Sequence, residues 1–341
     1  MNEQKNLLLA IVVSLIILLI FQYLFPTERK MIEENVESEN QIIEVPQEKI
    51  LDREEIVKNN KRIYFSESSR IKGSISLIGA RFDDVILKDY KDTIKPESKQ
   101  VTLLSPNNTL NPYFVELGWM SQENINLPNK NSEWQLIEGK ELGPENRITI
   151  KWVSPEGIEF FRKIEVDKDY LITVEQKVTN VSNKDISLTQ YGRINRTGTP
   201  KTSGFYILHE GPIAVLNERL IEIDYDDIIE EGSKSVISKG GWVGITDKYW
   251  LAALIPDQRS RIEGGFKAVL KNIERYQAQY MSNEIVLERG ETASVKSNVY
   301  IGAKEVDLLD KYSNQLSIEM FDRAVDFGWF NVITKPLFLL L

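Results

Sequence analysis

The sequence predicts a mainly β protein: a transmembrane helix at the amino terminus, then a large antiparallel β sandwich, then a helical tail. Three observations carry this reading. Leu7–Phe25 is an apolar run without a charge, Ser14 and Gln22 being its clearly polar side chains. From Arg62 onward, runs of alternating apolar and polar residues are separated by short polar turns, the pattern of half-buried antiparallel strands. After about residue 304 the apolar spacing becomes helical.

As a helix, a run of about 19 residues would be roughly 28 Å long, close to the hydrocarbon thickness of a bilayer. A helix satisfies its own backbone hydrogen bonds, as lipid requires. Leu7, Ile11, Leu15, Leu18, Phe21 and Phe25 are the expected anchor residues. A cleaved secretory signal is the rival. It requires small residues near its cleavage site, where this chain has Tyr23, Leu24, Phe25, Pro26, Thr27 and Glu28. A buried core helix fits less well, because the run is apolar on every face. Charge does not orient the span: Lys5 and the free amine precede it, opposed by Glu3, and Arg29 and Lys30 follow.

Residues 27–57 read as an acidic, self-repelling tether, with Glu33, Glu34, Glu37, Glu39, Glu44 and Glu48, and with a short helix near Asp52–Lys58. Strand patterning then runs through Ile75 and Leu77, Val85 and Leu87, Ile148–Trp152, Ile164–Val166, Ile172–Val178 and Ile186–Leu188. Ser154–Gly157, Asp167–Asp169 and Asn183–Asp185 read as turns. Trp242–Thr246 and Trp250–Ile255 are expected to form a hairpin, with strands at Tyr276–Met281, Glu284–Leu287 and Ser294–Ile301. These runs do not alternate with long helices, so two packed antiparallel sheets are expected rather than a parallel α/β fold. In Val306–Leu316, Leu308, Leu309, Tyr312 and Leu316 recur at helical spacing. The following segment, Phe321–Leu341, suits a helix in the membrane interface, with Phe321, Trp329, Lys335, Pro336 and Phe338 as its expected marks. A terminal helix packed on the sandwich is the alternative. The last residues, Phe338 to Leu341, read as a chain that continues.

The net charge of −9 opposes nucleic-acid binding, which needs a basic face. The chain has no cysteine and one histidine, His209, so thiolate zinc sites, cysteine nucleophiles and histidine triads within it are excluded. Tyr191–Pro200, with two arginines and glycines, reads as a loop able to hold an anion or sugar, although Gly and Pro there also simply shape turns. His209-Glu210-Gly211-Pro212 offers an acid/base pair beside a turn. Gly240-Gly241-Trp242 lacks the context of a phosphate loop. Asp83-Asp84 and Asp226-Asp227 read as solvated turns or edges. No catalytic, cofactor or metal site is expected.

Several blocks in order resemble the YidC membrane insertases of Gram-negative, alphaproteobacterial type: Ile75–Tyr90, Val101–Asn108, Gly192–Pro212, Gly240–Gln258 and Gly302–Leu341, with a leader ending in Phe25-Pro26. The resemblance covers nearly the whole chain apart from the tether. It implies a cytoplasmic amino terminus and anchor over 1–26, the tether over 27–57 and a periplasmic β-supersandwich, related to galactose mutarotases, over 58–303. Residues 304–341 then lead through an interfacial helix into a membrane core that this sequence does not contain. It further implies a non-enzymatic inner-membrane insertase and chaperone without cofactors. Its partners would be nascent inner-membrane proteins, Sec translocon subunits and the bilayer. The family's groove arginine has no counterpart here. A membrane-anchored periplasmic binding ectodomain and a tethered carbohydrate-active enzyme are the other classes.

Overall fold

The computed structural model describes residues 50–202, 208–270 and 273–325. The Leu7–Phe25 run, most of the tether and the segment from 326 lie outside these residues. Among the described residues, no helix is long and apolar enough to cross a membrane.

The described chain opens with helix α1, Arg53–Asn59, its first turn capped by the Asp52 carboxylate, which accepts from Glu54 N at 2.8 Å. Eighteen strands follow in two layers. The first sheet takes β1 (Arg62–Tyr64), β2 (Ile71–Ser76), β3 (Arg81–Lys91), β5 (Tyr113–Met120), β10 (Ile186–Thr197), β17 (Glu274–Leu287), β16 (Arg261–Leu270) and β13 (Ser233–Lys239) in that spatial order, with β4 (Gln100–Leu104) alongside β3. The second runs β12 (Arg219–Glu222), β11 (Gly211–Leu216), β14 (Trp242–Thr246), β15 (Trp250–Ile255), β18 (Thr292–Ala303), β9 (Leu171–Asn180), β8 (Ile158–Val166), β7 (Ile148–Val153) and β6 (Gln135–Glu138). Every pairing between these strands is antiparallel. Helices α2, Tyr225–Glu231, and α3, Val306–Leu316, complete the described regular elements with a 3-10 turn at Phe321–Ala324.

Alternation drives the layering. In β8, Ile158, Phe160, Ile164 and Val166 face the core, and in β10 Ile186, Leu188 and Ile194 do so from the other sheet. The turns rest on their own side chains. Asp167 Oδ1 accepts from Asp169 N at 2.9 Å and from Leu171 N at 3.1 Å, closing the β8–β9 turn. Asn180 Nδ2 donates to Lys184 O at 2.8 Å and to Leu287 O at 3.0 Å, holding the β9–β10 turn against β17. The expected hairpin at 242–255 is β14–β15, register Val243 to Leu254.

Several expectations change. Tyr191–Thr197 is central strand rather than loop, because its side chains alternate in phase with β5 and β17. Gly192 is needed there: a Cβ would lie 2.5 Å from Tyr280 Cε1, so the tyrosine fills the space that a side chain would take. The segments 276–281 and 284–287 form one strand, β17, whose pairing with β10 slips between Thr189 and Tyr191. Gly211-Pro212 opens β11 instead of turning. Asp83 and Asp84 are buried in β3, not solvated. Arginines reach both: Arg62 pairs with Asp83, and Arg53 of α1 with Asp84, which also accepts from Ser74 Oγ at 2.6 Å.

Candidate functional site

The tail of the sandwich is seated by packing and by charge. Leu308, Leu309 and Tyr312 of α3 are buried, and the helix ends at Ser317 in the left-handed conformation. The chain then turns Phe321 into the core, 0 % exposed, edge-on to Trp242 at 5.3 Å and to Tyr300 at 5.6 Å. Burying a ring of that size contributes about 2–3 kcal/mol. The Trp242 indole Nε1 donates to Glu319 O at 3.2 Å, fixing the backbone that precedes the turn.

Glu305, just ahead of α3, accepts both Arg70 Nη groups, at 2.7 and 3.2 Å, and Tyr90 Oη at 2.8 Å. Arg70 also donates from Nε to Asp89 at 2.5 Å and lies 4.4 Å from the centre of the Tyr170 ring. Lys311 reaches Asp169 at 3.2 Å, and the Tyr312 hydroxyl bonds Asp167. The hydrogen bond to Glu305 pushes the Arg70 pKa up, and burial does so for Tyr90, whose hydroxyl then stays a donor. These groups link α3 to β3 of one sheet and to the β8–β9 turn of the other. Each partly exposed pair contributes on the order of 1 kcal/mol or less, so the network orients the helix more than it stabilises it.

A second feature lies on the outer face of the first sheet. Met120, Thr189, Ile237, Glu263 and Met281 line an open groove of about 400 Å³. Ile237 of the edge strand β13 is 57 % exposed, and Glu263 links it in register to Met281. The groove wall is mixed, with Ser121, Gln122, Arg261, Ser282 and Asn283 beside the two thioethers.

A third feature is Arg162, an arginine at an inward position of β8. It is 2 % exposed. Its Nη1 donates to Ala80 O at 2.7 Å and its Nη2 to Leu117 O, both carbonyls of the first sheet's side of the sandwich. The Trp134 ring stands 4.8 Å away. Burial lowers its pKa to about 10, which leaves it charged at neutral pH. An effective desolvation cost of several kcal/mol per buried ion exceeds the roughly 2 kcal/mol of a cation–π contact.

The remaining sequence candidates are placed as follows. Arg196 of the 191–200 stretch is half-buried, paired with Asp247 at 2.7 Å and set over the Tyr113 ring. Arg193 lies 4.2 Å over the Tyr191 ring and donates to Met120 Sδ at 3.3 Å. His209 Nε2 is 2.9 Å from Pro212 O and its Nδ1 3.5 Å from Asp224, while Glu210 accepts from Lys248 N at 3.1 Å, a bond that secures the loop. Asp226 and Asp227 sit in the first turn of α2, where carboxylates favour a helix start. Gly240 and Gly241 turn the chain from β13 to β14. Among the described residues, no group of carboxylates and histidine is arranged to hold a metal ion. Phe321, expected in the membrane interface, is a core residue whose ring is closed to lipid. Trp329, Lys335, Pro336 and Phe338 lie outside the described residues, as do Leu7, Ile11, Leu15, Leu18, Phe21 and Phe25. Sequence reasoning missed Arg70, Arg162 and Glu305. Only Arg162 had a signal, a charge in phase with Phe160 and Ile164.

Residues 67–340 match the YidC periplasmic domain family. The chain belongs to that family. It is 42 % identical over 351 aligned residues, 99 % of this chain, to the membrane protein insertase YidC of Rickettsia akari, strain Hartford. It is 46 % identical over 275 residues, 80 % of this chain, to that of Rickettsia bellii, strain OSU 85-389. The first of these matches covers 62 % of its relative's length and the second 49 %, so the chain spans less than two thirds of either. Among solved structures it is similar to a galactose mutarotase-like protein from Lactobacillus casei, with TM-score 0.48 at 9 % identity over 71 % of this chain and 100 % of that one. A galactose mutarotase related enzyme from Lactobacillus acidophilus gives TM-score 0.47 at 10 % identity over 71 % and 97 %. At these values the likeness supports no argument about activity.

Proposed function

We propose that this chain is the anchor and periplasmic platform of an inner-membrane insertase that assists insertion, folding and assembly of membrane proteins, with and without the Sec translocon. The observation that carries this reading is the family match over 67–340, with relatives named membrane protein insertase YidC. In it residues 1–26 anchor the chain with the amino terminus in the cytoplasm, 27–57 tether it, 58–303 form the periplasmic supersandwich, and 304–341 lead to the membrane core. The two nine-stranded sheets support the third of these assignments, and the seated α3 supports the fourth. Clients would be nascent inner-membrane proteins, whose polar segments such a protein spares the cost of crossing bare lipid. Sec subunits would dock on the platform. The work is physical, without covalent chemistry or cofactor.

The test joins this chain to the remaining carboxy-terminal part of the Rickettsia akari insertase, in cells depleted of their own. Restored growth and correct protease accessibility of a reporter membrane protein are expected. A stable, correctly oriented chimera that restores neither would overturn the proposal.

A further inference from the structure

We propose that the end of the sandwich at which the chain enters rests on the surface of a lipid bilayer, with Leu110 and Ile273 set among the headgroups. Four segments meet there. Leu51 N donates to Asn108 O in the β4–β5 loop, Thr197 N at the end of β10 to Pro112 O of the same loop, and Gly198 N to Glu274 O at the start of β17, each at 2.9 Å. Leu110 stands in the otherwise polar run Asn107-Asn108-Thr109-Leu110-Asn111 and is 72 % exposed. Leu270 and Ile273, at the two ends of the β16–β17 turn, are exposed as well, and so is Ile50, where the described chain begins. Water gives an aliphatic side chain at a loop tip no stabilisation.

Two features single out a bilayer over a protein partner. The exposed aliphatics stand on separate turns, and Lys201 and Arg275 are exposed in the same segments. A protein partner requires one continuous, shape-matched patch. A fluid interface instead takes up separate aliphatic tips and favours cations beside anionic headgroups. The second feature is where the chain leads before Ile50. Residues 26–49 join this end to the apolar run Leu7–Phe25, a stretch of at most about 80 Å. So tethered, the end needs only weak insertion to stay on the surface. The opposite end, where β9 turns into β10 past the exposed Val181, lies the length of β10 away from this entry. The inference rests on the reading of Leu7–Phe25 as a membrane anchor.

The chain has no cysteine, so single spin labels can be placed on the full chain reconstituted into vesicles of phosphatidylethanolamine and phosphatidylglycerol. Labels at Leu110→Cys and Ile273→Cys should collide more often with oxygen than with a water-soluble nickel chelate, and a label at Val181→Cys the reverse. Leu110→Glu with Ile273→Glu should abolish the oxygen preference of a label at Leu270→Cys, with the unfolding midpoint unchanged because these side chains are exposed. Aqueous labels at 110 and 273 on a chain that floats with the vesicles would overturn the proposal and leave the anchor reading standing. An equal oxygen preference at 181 would overturn it too. So would spin–spin broadening at 110 that dilution with unlabelled chain removes, which would assign this end to a second copy. A chain that does not float would overturn the anchor reading and this proposal together.

Discussion

Asp83 and Arg62 meet inside the first sheet with almost no solvent, and the Arg62 Nε also donates to Ser74 Oγ at 2.7 Å. Burial, opposed in part by Arg62, pushes the Asp83 pKa above the ordinary carboxylate value. Between the unfolded pKa near about 3.9 and that raised value, the native state keeps a proton that the unfolded chain has released. The contribution to stability therefore falls as pH rises through this window. Urea midpoints taken from about pH 3.5 to 6 should show this downward component in the wild type and lose it in Asp83→Asn, which has no such proton. Parallel profiles would contradict the sign. Gly302 poses a steric question instead. A Cβ there would stand 2.2 Å from Tyr170 Cγ, against a ring that is fully buried and lies under Arg70. Gly302→Ala should cost about 2 kcal/mol or more, read as a lower chemical-denaturation midpoint. A neutral result would mean that the ring and its arginine shift freely.

At the scale of elements, α3 and the 3-10 turn after it behave as one docked unit. The apolar spacing of Leu308, Leu309 and Tyr312 was enough to predict the buried face of the helix. The fate of Phe321 was not legible, since an aromatic near a membrane-proximal tail suits a lipid interface and a core equally. What decided it is a slot between Trp242 of β14 and Tyr300 of β18, residues more than fifty positions apart in the chain. Phe321→Ala should destabilise the sandwich by about 3–5 kcal/mol. It should also make the 317–325 segment the first site of limited proteolysis. Cleavage there at the wild-type rate would show that the ring is not what holds the turn.

For the molecule as a whole, Glu305, Arg70, Lys311 and Asp169 tie α3 to both sheets. In a full-length insertase carrying this chain, Trp329→Ala, Lys335→Ala and Pro336→Ala together should impair growth of cells depleted of their own insertase, with the protein still expressed and folded. Unimpaired growth would remove these residues from the placement of an interfacial helix.

The sequence by itself determined the β class, the alternating strands from Ile148 to Leu188, the 242–255 hairpin, the turns at 154–157, 167–169 and 183–185, and the buried face of α3. Local chemistry suffices for these, because alternation, turn residues and helical spacing act over a few neighbours. It misplaced Asp83 and Asp84, which look solvated until Arg62 and Arg53 are seen beside them. It took Tyr191–Thr197 for a loop, because Gly192 reads as a turn signal until Tyr280 is found filling its space. Only the tertiary structure decided which charges lie inside, which ring seats the tail and where Arg162 ends. Each of those depends on partners tens of residues distant, whose identity gives no local sign of contact.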